Sequence, residues 1–298
     1  MLKAFIILSI GLFTTSFHHA HTSDCFPKND LSFPADQKSS GGITKAEFDQ
    51  VLDEFEAVMN LEVSRVDAAR LVVERKWETA DVNAMAYQSG IYRYIVMYGG
   101  LARHPDVTVD AFRLVACHEL GHHLGGAPKK VGGFWGGAAW ASNEGQADYY
   151  ASLKCFRRLV IEGQKLNLAV AGPDLSNYPA SELNMAKAEC AKSFTNSDDQ
   201  EICLRATMGG YAIGRMFNSF GSASKPISLS TPNPNVVSKT NDNHPESQCR
   251  TDTYFQGAIC DVSYRNDVSN NDERYGTCNK KDNHPRGLRP LCWFRPSA

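Results

Sequence analysis

The sequence has no excess of either charge: Lys and Arg number 31, Asp and Glu 33, for a net charge of −2. That balance gives no electrostatic reason to expect nucleic acid or an anionic membrane as a partner. Past the first twenty residues no apolar run approaches the ~18 residues that a membrane-spanning helix needs. None of the nine cysteines stands in a Cys-x-x-Cys pair, which argues against a thiolate zinc site or a thioredoxin-type motif. There is no long internal repeat. What is present, 298 residues with 42% hydrophobic and 21% charged side chains, is ordinary globular composition. It excludes collagen, coiled coil and wholesale disorder, and suffices for one large domain or two small ones.

Lys3 is followed by a short apolar run over 4–13 and then by small and polar residues. This reads as a secretory signal peptide over 1–20, with Ala20 suited to the position before the cut and His18 poorly suited two places upstream. The mature chain is expected to be exported, periplasmic or secreted, with no stable membrane insertion. Four cysteines (Cys249, Cys260, Cys278, Cys292) crowd a polar C-terminal stretch, a pattern that suggests disulfide staples in an oxidising compartment. Cys190 and Cys203 form a natural local pair, joining two helical segments. The odd count leaves one thiol over. Cys117, in the middle of an apolar helix, is the expected free one.

Phe48, Val51, Leu52, Phe55 and Met59 recur as one face of a helix over 44–63. Segments 71–77, 83–87 and 91–98 read as strands, with Ser89-Gly90 as a hairpin turn. Thr108 caps a helix that Gly125-Gly126 stops, and a Gly- and Trp-rich loop follows over 131–140. Ser142 or Asn143 caps the next helix, to about residue 162. Two more helices are predicted over 181–193 and 198–220, the second opened by a capping box of Ser197 and Gln200. Residues 221–243 read as loop. The pattern predicts an α+β fold, with a main domain over 25–260 and a disulfide-stapled C-terminal extension over 261–298.

The chemistry lies in His118-Glu119-Leu120-Gly121-His122. On a helix, residues four apart share a face, so His118 and His122 can both turn an imidazole toward one ion. Glu119 can meet a water on that ion and take its proton, the H-E-x-x-H arrangement of zinc hydrolases. A third ligand is needed, and Glu144, at the start of the next helix, is the candidate. Asp148, one turn further on, can accept the spare N–H of a ligand histidine and fix its tautomer. His123, at i+1 from His122, points away and is expected on the helix surface or behind the ligands. His104 is expected to be ordinary loop.

With Asn143-Glu144-x-x-x-Asp148 beside this helix, the sequence resembles the gluzincin metallopeptidases, of which thermolysin shares both motifs. Asn83-Ala84-Met85-Ala86, then 95–101 ending in Gly99-Gly100-Leu101, then the zinc helix, is similar to CAAX-prenyl endopeptidases and HtpX-type peptidases. His244-Pro245 followed by Arg250 matches those families' His-Pro and Arg. The resemblance covers about residues 44–260. It departs in having no transmembrane helices beside the zinc helix and a short gap from His122 to Glu144, so soluble, exported relatives are nearest and no prenylated substrate is implied. It implies a zincin-like domain with a small sheet, an edge strand, a zinc-binding helix and supporting helices. It implies Zn2+ held by His118, His122 and Glu144, with Glu119 as general base. It further implies His244 binding the oxyanion and Arg250 holding that region or assisting. Asp-Asn-His-Pro recurs at 282–285, but only the first copy has the following Arg, which favours His244 over His284. The strand around Ile95, Val96 and Met97 is then expected to be the edge that binds a polypeptide substrate as an added strand.

The expected function is zinc-dependent endopeptidase activity on extended or unfolded polypeptides, in envelope protein quality control. The alternatives are a non-catalytic, metal-stabilised binding or chaperone-like protein, and a thermolysin-like secreted digestive protease.

Overall fold

The computed structural model describes residues 23–24, 26–36, 41–131, 138–168, 171–221 and 225–297. The signal-peptide reading of 1–20, Cys25 and most of the 131–140 loop lie outside them. The fold is α+β. Its first long helix, α1 (Lys45–Asp67), opens with a capping box. Thr44 Oγ1 accepts from the Glu47 amide at 3.2 Å, and the Glu47 carboxylate accepts from the Thr44 amide at 2.8 Å. Its apolar face, Phe48 to Val63, is buried against the sheet and the central helix.

The sheet has four strands, β1 (Ser23–Asp24), β2 (Arg70–Lys76), β3 (Ala84–Ser89) and β4 (Tyr92–Tyr98), in the order β1-β3-β4-β2. β3 and β4 form the antiparallel hairpin, turning at Gly90, whose positive φ of 55° suits a residue without Cβ. β2 runs parallel to β4, and β1 antiparallel to β3. This corrects the edge-strand expectation. Ile95, Val96 and Met97 lie on an inner strand whose backbone pairs on both sides, and their side chains are buried. An unbroken apolar run is what a strand enclosed on both faces looks like. Among the described residues the outer strands are β2 on one side and the two-residue β1, paired to β3, on the other.

A short helix, α2 (Gly99–Arg103), leads to α3 (Val109–Leu124), which is buried along its whole length and runs through the centre of the molecule. Thr108 caps it, accepting from the Ala111 amide. Its first turn is anchored by charge. Arg113 donates to Glu54 of α1 at 3.0 Å and to Asp110 at 2.6 Å. Asp110 also accepts two bonds from Arg205, both at 2.9 Å. With every partner hydrogen-bonded, this network orients α3 between α1 and the helix carrying Arg205.

A small ribbon, β5 (Lys129–Val131) with β6 (Ala138–Ser142), precedes α4 (Glu144–Tyr150). α4 runs through a π-turn (Ala151–Cys155) into α5 (Phe156–Lys165). Asn143, rather than Ser142, is the cap of α4, accepting from the Gln146 amide at 3.0 Å. Then follow α6 (Ala180–Ser193), α7 (Ser197–Asn218) and α8 (Ser247–Ile259). α7 is capped by Asn196, whose side chain accepts from the Asp198 and Asp199 amides, so the Ser197 capping box does not form. α8 was not legible as a helix. Its Ser, Thr, Gln and Asp residues hide an apolar face of Tyr254, Phe255, Ala258 and Ile259 that packs on α7 and α4.

Among the described residues four disulfides are formed: Cys117–Cys155, Cys190–Cys203, Cys249–Cys292 and Cys260–Cys278. Cys190–Cys203 is as expected. Cys117 is not the free thiol, because the π-turn lies beside α3 and brings Cys155 to a Cα–Cα distance of 5.5 Å. The C-terminal tail is stapled twice to α8 and packs against α4. Trp293 is fully buried on Gly145, and Tyr149 donates its hydroxyl to the Gly287 carbonyl at 2.5 Å.

α3 and α4 approach closely at Gly121. A Cβ there would stand 2.9 Å from both the Cα and the carbonyl oxygen of Ala147, backbone atoms that cannot turn aside. Gly121→Val is therefore expected to push the two helices apart and cost about 2 kcal/mol of stability. Thermal unfolding checks this, and a melting temperature within about 1 °C of wild type would show that the approach is not tight.

Candidate metal centre

α3 and α4 cross so that His118, His122 and Glu144 offer two nitrogens and one oxygen, all within 4.8 Å of one another and all buried. The group could hold a metal ion. His118 Nε2 stands 3.3 Å from one Glu144 oxygen and His122 Nε2 3.8 Å from the other. Ligands at 2.0–2.1 Å in a tetrahedral shell are about 3.3 Å apart, so these separations suit a shared ion.

The other ring nitrogens decide the tautomers. His122 Nδ1 lies 2.9 Å from the Ser142 carbonyl oxygen, which can only accept, so the proton is on Nδ1 and the lone pair on Nε2. His118 Nδ1 donates in the same way to Asp148 Oδ1 at 2.7 Å. Both imidazoles thus present Nε2 toward Glu144 in the form that binds metal. Burial pushes the His122 pKa down to about 3, with Glu144 opposing, and this keeps the ring neutral. Burial would raise the Glu144 carboxyl, but His122, His118 and Lys130 outweigh it and hold it well below the usual carboxylate range. The donor set is two imidazole nitrogens and one carboxylate.

Behind this layer Asp148 is gripped from α8. Arg250 donates Nε to Asp148 Oδ2 at 2.8 Å and Nη2 to Oδ1 at 2.7 Å, a bidentate pair. The guanidinium lies 4.0 Å from the Phe217 ring centre, which holds its plane. Burial alone would raise the Asp148 carboxyl, and Arg250 and His118 together pull it below its ordinary value. Asp148 is therefore an ionised acceptor to which His118 donates.

Glu119 is buried on the same turn as His118 and lies outside the three-donor cluster. His244, just before α8, places Nε2 3.6 Å from Glu144 and is partly exposed. His284 is elsewhere, bonded to the backbone of Asn279 in a turn of the tail. His123 bonds through Nε2 to the Tyr94 carbonyl at 3.1 Å and stacks on Trp140, tying α3 to β4. His104 is not an ordinary loop residue. It is buried, accepts from the Asp106 amide and faces Ser219 at 3.2 Å. Ile95, Val96 and Met97 belong to the sheet interior and not to the site.

Sequence reasoning missed Lys130. It reaches from β5 to Glu144, with Nζ 2.6 Å from Oε1. The contact depends on the β5–β6 ribbon folding back over α4, which no local motif announces. Asn143 and Asp242 were likewise unforeseen. The Asn143 amide donates to Asp242 at 3.2 Å and so holds the loop bearing His244 against the start of α4.

Asp148→Asn keeps the shape but removes the charge that orders His118, so metal affinity should fall about 10–100-fold. Arg250→Gln should lower the stability of the metal-free protein by about 3 kcal/mol, because it strips a buried carboxylate of its ionic partner. Calorimetric metal titration and thermal melts check the two effects, and an Asp148→Asn protein with unaltered affinity would remove the supporting role. Compared with protein-family models, curated proteins and solved structures, the chain matches none.

Proposed function

We propose that the protein is an exported zinc-dependent endopeptidase of the gluzincin type that hydrolyses extended or unfolded polypeptides. One observation carries this reading: the buried His118, His122 and Glu144 cluster, with Glu119 beside His118 on the same helix. Two imidazoles and a carboxylate suit Zn2+, whereas Mg2+ and Ca2+ take oxygen shells. Zn2+ held by these residues would supply a Lewis acid that polarises a carbonyl and brings the pKa of a water toward ~7.

Glu119 takes the proton of the attacking water and delivers it to the leaving amine. His244, at the rim of the centre, donates toward the negative charge that develops on the carbonyl oxygen. Arg250 touches no substrate in this scheme. It positions Asp148 and, through it, His118. An extended chain pairs with the stretch of β3 beyond the two-residue β1, which among the described residues meets only Met85 and Ala86. Main-chain pairing of that kind gives little side-chain selectivity, which suits quality control of exported proteins. The four disulfides among the described residues hint at an oxidising environment, and no described helix is long and apolar enough to cross a membrane.

Metal analysis combined with a casein-type proteolysis assay, with and without chelator, tests the proposal. Wild type should hold one zinc and lose activity on chelation. Glu119→Gln should keep the metal while losing about 10²–10⁴-fold in rate. Glu144→Ala should lose the metal itself, because two histidines make an incomplete site. A wild-type protein that holds zinc and cuts nothing would assign a binding role in place of catalysis. Undiminished zinc affinity in Glu144→Ala would end the gluzincin reading.

A further inference from the structure

A cavity of about 680 Å³ lies away from the metal centre, between α8, the loop at 232–236 and the C-terminal tail. Its volume is in the range that holds small ligands. Ile259, Leu288, Leu291 and Phe294 give it an apolar wall, and none of His118, Glu119, His122, Glu144 or His244 lines it.

Arg289 lies in this wall and is 5% exposed. Nε donates to Gln146 at 2.7 Å and Nη1 to Thr277 at 3.3 Å. The guanidinium is held between the Tyr149 and Phe294 rings, 4.9 Å from each centre. Among the described residues no carboxylate forms an ion pair with it, and Nη2 has no hydrogen-bond partner. Arg113, Arg205 and Arg250 each have a carboxylate, and the equally buried Arg103 and Arg157 donate to backbone carbonyls, whereas Arg289 donates only to a side-chain amide and a hydroxyl. A buried cation without a counter-ion is costly unless something supplies one.

The acids that line the cavity make their hydrogen bonds and ion pairs with other groups, and Glu273 acts on Arg289 only through space. Glu189 faces Arg286 at 3.6 Å, and Glu273 accepts from the Ser297 amide at 2.8 Å. Asp252 accepts from the Asn233 amide and from Gln248. The exposed Lys280 and Lys281 also line the cavity and add positive charge.

We propose that this cavity is a binding site for a carboxylate carried on an apolar body, with Arg289 and the Lys280-Lys281 pair meeting the acid and Ile259, Leu288 and Phe294 the apolar part. Nη2 is itself covered, so an entering carboxylate reaches it through a small outward swing of the Arg289 side chain. The same chemistry is offered by a free amphiphilic acid and by the C-terminus of a peptide ending in an apolar residue. The site is separate from the metal centre and does not depend on the function proposed above.

Calorimetric titration of the full chain uses four probes: decanoate, its methyl ester, and a short peptide ending in Leu with a free or an amidated C-terminus. At least one of the two acids should bind saturably with one-to-one stoichiometry, and its neutral counterpart at least about tenfold more weakly. Binding of decanoate alone assigns a free acid, and binding of the peptide alone assigns a chain terminus. Arg289→Gln should weaken the acid at least about tenfold. Lys280→Glu with Lys281→Glu, on exposed positions that leave the fold alone, should weaken it several-fold and flatten its salt dependence. The proposal is overturned if neither acid binds at millimolar concentration or if the neutral probes bind equally well. It is also overturned if the lysine variant leaves both affinity and salt dependence unchanged.

Discussion

Asp148 is a carboxylate buried from solvent, and what surrounds it determines how the centre is built. It accepts from His118 of α3 and from Arg250 of α8 while standing on α4, so one side chain joins the three helices that converge on the site. Removing a carboxylate from water is unfavourable, and the charge survives only because a guanidinium grips both oxygens. That bidentate grip leaves Asp148 little freedom to rotate, so the His118 ring has one orientation. The position of Nε2 follows from a charge on a helix 132 residues away in sequence.

Much of this was legible and the rest had specific reasons not to be. His118, His122, Glu144 and Asp148 stand at helical spacings within two short segments, and helical spacing alone places each pair on a common face. Thr44 and Thr108 could be read as caps because capping is a local hydrogen bond. β4 was misread as an edge because apolar content reports burial of side chains and says nothing of which strands pair with the backbone. Cys117 was misread because a buried cysteine looks the same in sequence whether or not a second one lies across from it. α8 escaped notice because its polar residues are spent on packing contacts: Thr251 and Thr253 bond back to carbonyls one turn earlier, and Gln248 and Asp252 hold the loop before the helix. Lys130 and Arg289 make contacts that only the finished tertiary structure brings about.

Buried charge recurs as the means by which α3 is fixed. At its start Arg113 and Asp110 bind α1 and α7, and further along His118 binds through Asp148 to α8. Between these polar clamps the helix is packed by apolar side chains, with Gly121 admitting α4. Apolar packing is tolerant of small shifts, whereas ionic and hydrogen-bonded contacts fix direction. The two kinds of contact divide the work, one excluding water from the helix and the other setting its rotation.

The order of these elements along the chain has a consequence for biogenesis. α3 and α4 emerge from the ribosome well before α8, and the segment that buries Trp293 and Arg289 against α4 comes later still. A nascent chain that has delivered both histidines, Glu119 and Glu144 still lacks the guanidinium that keeps Asp148 charged in a dry interior. Contacts of such sequence separation form late and slowly. The centre is thus completed only when synthesis has passed α8, and a chain that stops short of it carries its ligands without the frame that aligns them.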